Sequence, residues 1–232
     1  MVESGMGAPH TSEVSESAAA SVWTIVVAAG SGTRFGAPKQ FLELGGQRVI
    51  DRSVATAARH GDGVVVVLPV GVDAGDLPAG TAEVVCVEGG DTRSTSVRNG
   101  LGAVPAEATV VLVHDAARPL AGDDLFVRVI AAVVDGADAV VPAVAVTDSI
   151  RHRHDGAVDR DALVAVQTPQ GFAAHRLRSA HSRDVEATDD ATLVEADGGG
   201  VVIVEGDHRN LKLTTPFDFE VARLAIEQED VS

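Results

Sequence analysis

Six stretches of the chain are apolar runs of strand length: residues 22–28, 63–69, 83–87, 109–114, 137–141 and 201–205. They lack the in–out alternation of a half-solvated strand, which predicts strands of a parallel sheet covered on both faces. Between them, apolar positions recur with helical spacing over 49–60, 93–104, 123–135 and 216–229. Asp123 offers an N-cap for the third of these helices. Thr215 followed by Pro216 starts the last, with proline at the first helical position. Strand alternating with helix gives βαβ units, hence an α/β fold with a doubly wound, mainly parallel sheet. Open sheets of this kind bind ligands at the carboxyl ends of their strands, so the loops after the strands are where chemistry is sought.

One segment breaks the alternation. Residues 143–167 carry Asp148, Arg151, His152, Arg153, His154, Asp159, Arg160 and Asp161, with Asp155-Gly156 between short extended stretches. That pair predicts a hairpin turn. A polar hairpin projecting from an α/β body is either a solvent loop or a dimerisation arm, and spacing alone leaves both open.

Composition narrows the function. The chain has 232 residues, and 34 acidic against 18 basic side chains give a net charge of −16. Such a surface repels nucleic-acid phosphates and anionic membranes, so neither is expected as a partner. Cys86 is the single cysteine, which leaves no disulfide framework or cysteine-based zinc site and favours a reducing compartment. Residues 1–20 lack Lys and Arg, unlike a secretory or transit signal, and no apolar stretch is long enough to span a bilayer. The expectation is a disordered tail over 1–20, a single domain over 21–232, and a cytoplasmic protein. Sixteen of the 18 basic residues are Arg; the two lysines are Lys39 and Lys212.

Both lysines fall in loops after predicted strands. The first loop runs from Ala28, Ala29, Gly30, Ser31 and Gly32 to Arg34 and Lys39. Its glycines let a phosphate approach backbone N–H groups, and two cations follow that can face a polyphosphate. The spacing GxGxxxG is one residue too long for a dinucleotide fingerprint, and no Gly-Lys-Ser/Thr is present for a Walker loop. The strand at 109–114 leads to Asp115, placed to hold Mg²⁺ on phosphate oxygens, with Arg118 three residues on as a fork for a second anion or a simple surface partner for Asp115. Absence of GxSxG speaks against a hydrolase triad, and His114 reads as a packing residue. Gly89 and Gly90 could let a flat base lie against the backbone beside the Ser96 hydroxyl, or could belong to an ordinary helix cap at Asp91 or Thr92. Asp207 and Lys212 follow the last strand.

The segments AAGSGTRFGAPKQF (28–41), EGGDTRSTSVRNGL (88–101), VHDAARP (113–119), AVQTPQGF (165–172) and DHRNLKLTTPFDFE (207–220), in this order, resemble the 2-C-methyl-D-erythritol 4-phosphate cytidylyltransferases of non-mevalonate isoprenoid synthesis. The resemblance extends from about Val22 to Ile226 and implies a Rossmann-like nucleotidyltransferase fold. It implies that residues 28–32 cradle the phosphates of CTP and that Arg34 and Lys39 stabilise the transition state. Gly89, Gly90, Ser96 and Ala116 would hold the nucleotide, with Asp115 beside Mg²⁺ or another divalent cation. Arg118, Ser149, Arg160, Thr168 and Lys212 would bind the polyol phosphate. The resemblance also makes the hairpin of about 143–167 a β-arm swapped across a homodimer. Asp207 as a second metal contact follows by analogy with related nucleotidyltransferases. Val27 stands where the family often has Pro, the segment from Arg34 to Lys39 is short, and Ser149 replaces a common Thr. Two alternatives stand beside this reading: a ribitol-5-phosphate cytidylyltransferase, which shares these motifs, and a non-catalytic nucleotide-binding regulator on the same fold, which loss of Lys39 or Asp115 would have favoured.

Overall fold

The structure is a computed structural model describing residues 20–30, 38–183 and 185–229. The tail expected over 1–20 lies outside the described residues except for its last position, as do Ser31, Gly32 and Arg34.

The six apolar runs form β1 (Val22–Val27), β4 (Gly63–Leu68), β5 (Glu83–Glu88), β6 (Val110–Asp115), β7 (Ala139–Ala145) and β12 (Val201–Glu205). Two short pairs complete the early chain and the arm: β2 (Glu43–Leu44) with β3 (Gln47–Arg48), and β8 (Arg151–His152) with β9 (Gly156–Ala157). β5, β4, β1 and β6 lie side by side and parallel. Every residue of β4 and β6 is buried, as runs without a polar face require.

Beyond β6 the sheet departs from the parallel pattern. β11 (Gln170–Ala173) inserts antiparallel between β6 and β7, and β10 (Val164–Val166) pairs antiparallel further along β7. β12 pairs with β7 in parallel; since β11 and β12 both pair with Ala139 and Val140, they occupy its opposite edges. The sheet is thus mainly parallel, with an antiparallel insertion that the sequence pattern did not reveal.

The helices are α1 (Val49–Arg59), α2 (Arg93–Ala103), α3 (Asp123–Val134), α4 (Ala174–His181), α5 (Asp190–Ala196) and α6 (Pro216–Glu229). Side chains of α1 and α3 pack on one face of the sheet, those of α2, α4 and α5 on the other. α6 adds Ala222 and Ile226 to a small separate cluster with Leu44, Val49 and Leu213. Its start is a reciprocal cap: the Thr215 hydroxyl accepts from Asp218 N, and the Asp218 carboxylate accepts from Thr215 N. At α3 the expected cap moves by one residue. Gly122 is the N-cap, and Asp123 instead accepts from Arg59 and pairs with His60.

The polar hairpin forms as expected. β7 runs out into the segment, β8 and β9 make its tip with Gly156 at φ +92°, and β10 returns along β7.

Candidate active site

Three strand ends set the floor of a cavity of about 480 Å³. Ala28 N donates to Val67 O, Gly89 N to Leu68 O and Ala116 N to Val27 O, so the loops after β1, β5 and β6 are stitched across the sheet edge. A Cβ at Gly89 would overlap Ala29 and press on Ser96, and one at Gly90 would overlap Thr95; only glycine lets these loops approach so closely. The lining comprises Ala28, Ala29, Gly30, Lys39, Gly90, Ser96, Asp115, Ala116 and Lys212 from the expected set.

Lys39 lies in a single 3-10 turn, Lys39–Phe41, whose Gln40 side chain is buried and donates to Ala28 O at 3.0 Å. The Lys39 ammonium donates to Leu213 O, which ties the first loop to the segment after β12 that bears Lys212. Thr92 caps α2 by accepting from Thr95 N, and Ser96 Oγ accepts from Gly90 N at 3.1 Å while donating to Thr92 O at 2.8 Å. Cap and candidate base pocket are therefore the same few residues.

Asp115 is the electrostatic centre. Lys212 Nζ donates to its Oδ2 at 2.6 Å, and Arg93 Nε lies 3.9 Å from Oδ1. Burial alone would raise the carboxyl pKa; Lys212 and Arg93 outweigh it and hold Asp115 below the usual carboxylate range. The simple surface partnership of Asp115 with Arg118 does not form. Arg118 instead donates to Asn210 O at 2.7 Å and to Val166 O at 3.4 Å, bracing the loop after β12 against the arm. Thr168 sits behind Asp115: its Oγ1 accepts from Asp115 N at 3.0 Å and lies 3.1 Å from His114 Nδ1. His114 is fully buried, and desolvation pushes its pKa down to about 4, consistent with a packing role.

A family model for 2-C-methyl-D-erythritol 4-phosphate cytidylyltransferase (IspD) matches residues 22–228. The chain belongs to this family. A 2-C-methyl-D-erythritol 4-phosphate cytidylyltransferase of Rhodococcus jostii is 42% identical over 217 residues, covering 89% of this chain and 96% of that one. A bifunctional IspD/IspF enzyme of Solidesulfovibrio magneticus is also 42% identical, over 85% of this chain. The chain spans about half the length of such bifunctional relatives, 55% in this case. Among solved structures, the cytidylyltransferase of Thermus thermophilus matches with a TM-score of 0.76 and 36% identity, over 90% of this chain and 98% of that one.

The remaining residues proposed from the IspD resemblance are dispersed in the single chain. Ser149 and Arg160 line a separate cavity of about 410 Å³ on the arm, where Arg160 donates to Thr147 O at 2.5 Å. Asp207 is absent from the lining of the main cavity, and its Oδ1 accepts from Arg209 N at 2.8 Å. Gln167 bonds both backbone groups of Asp207, fixing that loop against β7. The lining also includes Gln40 and Arg93, which sequence reasoning did not single out. Both stand inside motifs quoted for the resemblance, but nothing in their spacing marks them as facing a cavity.

Proposed function

We propose that the chain transfers the cytidylyl group of CTP to 2-C-methyl-D-erythritol 4-phosphate, giving 4-CDP-2-C-methyl-D-erythritol and pyrophosphate. The observation that carries this reading is the single cavity in which the glycine loop, both lysines and Asp115 converge, in a chain of this family. A phosphate oxygen of the polyol attacks the α-phosphorus of CTP, and the bond from that phosphorus to the bridging oxygen breaks. The nucleophile is already ionised at neutral pH, so no general base is required.

The obstacle is repulsion between anions: two unit charges 4 Å apart repel by about 4 kcal/mol at an effective dielectric constant of 20. Lys39, from its fixed turn, and Arg34, outside the described residues, offset that repulsion and the charge that builds on the α-phosphoryl oxygens. Ser96 Oγ has one lone pair left after its two bonds, which suits the amino group of cytosine and not the carbonyl of uracil. Lys212, in the cavity lining, is assigned to the polyol phosphate; Arg118 and Thr168, assigned with it, lie outside that lining and connect to its surroundings through Asn210 and Asp115.

The donor set fits a divalent cation that arrives on the triphosphate. Among the described residues no group of three His, Cys, Asp or Glu side chains forms a protein cage, whereas Asp115 faces the cavity in its ionised form. Mg²⁺ typically keeps its waters and takes only one or two carboxylates plus substrate phosphates, which matches. Asp115 would hold it, and the bound ion would supply further neutralisation of phosphate charge. Asp207, outside the cavity lining, has no geometric support for that role.

The arm residues complete the reading through a homodimer. Ser149 and Arg160 reach a polyol phosphate at Arg118 and Lys212 when a second copy supplies them. Apolar side chains exposed on β10 (Val164, Val166) and β12 (Val202, Ile203) offer surface for such a contact.

Pyrophosphate release from CTP with Mg²⁺, assayed beside methylerythritol phosphate and ribitol 5-phosphate, tests the assignment. Release with the first alone is expected. Release with ribitol 5-phosphate alone would move the substrate, and silence with both from folded protein would overturn the catalytic reading.

A further inference from the structure

Arg93 opens α2 directly after the Thr92 cap and lines the nucleotide cavity. Its guanidinium is pulled two ways. One terminal nitrogen donates to Asp190 Oδ2 at 2.7 Å, while Nε stands 3.9 Å from Asp115 Oδ1, beyond hydrogen-bond range. Asp190 has no exposed surface, and its Oδ1 lies 2.9 Å from Nε2 of His181, which is also buried. An ionised carboxylate only accepts, so His181 donates here through Nε2.

The anchor is itself braced. Asp189, the neighbour of Asp190, caps α5 by accepting from Thr192 N, and Gln170 of β11 donates to its other oxygen at 3.0 Å. α4, α5 and β11 thus converge on a fixed negative charge beneath the cavity wall. A carboxylate in a low-dielectric interior pulls on a cation more strongly than one at a solvent-filled cavity. Among the described residues, no hydrogen bond occupies Asp115 Oδ1, the oxygen that Arg93 does not reach.

We propose that Asp190, held by His181, is a positioning residue that keeps Arg93 off Asp115 and so leaves Asp115 Oδ1 open to the nucleotide side of the cavity. The inference rests on the reading of this cavity as the CTP site. Without the charge of Asp190, Arg93 closes on Asp115 as a two-point fork, on a carboxylate that Lys212 already holds. The end of the cavity at β6 then shuts against the nucleotide.

The test is a double-substitution cycle of Asp190→Asn and Arg93→Gln. It reads KM for each substrate, kcat, and CTP binding by calorimetry, with urea unfolding of every variant to confirm folding. Asp190→Asn is expected to raise KM and Kd for CTP about tenfold, leave KM for the polyol phosphate within about twofold, and lose its effect when Arg93→Gln is already present. If Asp190→Asn does not fold, His181→Gln loosens the same anchor and should shift CTP binding in the same direction by about threefold. Equal losses with and without Arg93, a rise shared by both substrates, or no change in CTP binding would each overturn the proposal. Failure of the unsubstituted chain to bind CTP would instead remove the functional reading, and this inference with it.

Discussion

Lys39 stands alone as a lysine in the first half of the chain, and its ammonium is fixed by Leu213 O at the mouth of the glycine loop. A cation so placed acts on charge that develops in the transition state, so Lys39→Ala should lower kcat by roughly 10²–10³-fold. Near-normal turnover in steady-state assays of that variant would remove it from the catalytic set. His114 yields a second expectation, in stability. Desolvation holds the folded imidazole at a pKa of about 4, against 6.5 for an ordinary histidine. As pH falls below 6.5 the unfolded chain binds a proton that the folded chain refuses, and the deficit grows until pH reaches about 4. Stability should therefore decline across that window by up to roughly 3 kcal/mol from this group. Urea unfolding at several pH values should show the decline in the native chain and a shallower one in His114→Asn; identical slopes would refute it. The glycines, Lys39 and Asp115 were legible in the sequence because phosphate chemistry demands those residue types in a loop after a strand. The link from Arg93 to Asp190 was not, because 97 positions separate them and only the fold brings the charges together.

At the scale of elements, the apolar runs announced six of the eight strands that the described residues form in the main sheet, because strands covered on both faces cannot carry a polar side. β10 and β11 escaped for a physical reason: they have three and four residues and are separated by Gln167, Thr168 and Pro169, too short for any period to show. Helix α2 was legible from its spacing, yet its closeness to the sheet was not. Gly100, in its interior, faces β1 and β4; a Cβ there would stand 2.7 Å from Ile25 Cγ2 and 2.9 Å from Val67 Cγ2. Gly→Ala in a helix ordinarily gains about 1 kcal/mol of propensity. Here overpacking of two buried strands, typically about 1–3 kcal/mol, opposes that gain, and Gly100→Ala should lose up to about 2 kcal/mol net by urea unfolding. Relief of the overlap must lift α2 off the sheet, and α2 carries Arg93 and Ser96 into the cavity. KM for CTP should rise in the same variant. A more stable protein with unchanged CTP binding would show that α2 is less tightly seated than the contacts indicate.

The whole molecule poses a different problem, since its net charge is −16 and both proposed substrates are anions. Local cations must dominate at the site, yet Lys212 is already paired with Asp115, and both terminal nitrogens of Arg118 already donate, to Asn210 O and Val166 O. A second copy can supply what one chain lacks, because Arg160 sits on the projecting arm with about half of its side chain exposed. If the arm acts across a dimer, an Arg160→Ala chain carries an intact Lys39 cavity but gives its partner a defective arm. A Lys39→Ala chain has the converse fault. Each homodimer should be nearly inactive, while a mixed dimer pairs one intact cavity with one intact arm. After subunit exchange in an equal mixture, half of the dimers are mixed and each holds one working site of two. About a quarter of native activity should then return, if exchange is random and the sites act independently. Mixing the two purified variants, with exchange followed by mass spectrometry of the intact dimers, gives the measurement. Mixed dimers without recovered turnover would place Arg160 in the site of its own chain, and a chain that stays monomeric at assay concentration would exclude the shared site altogether.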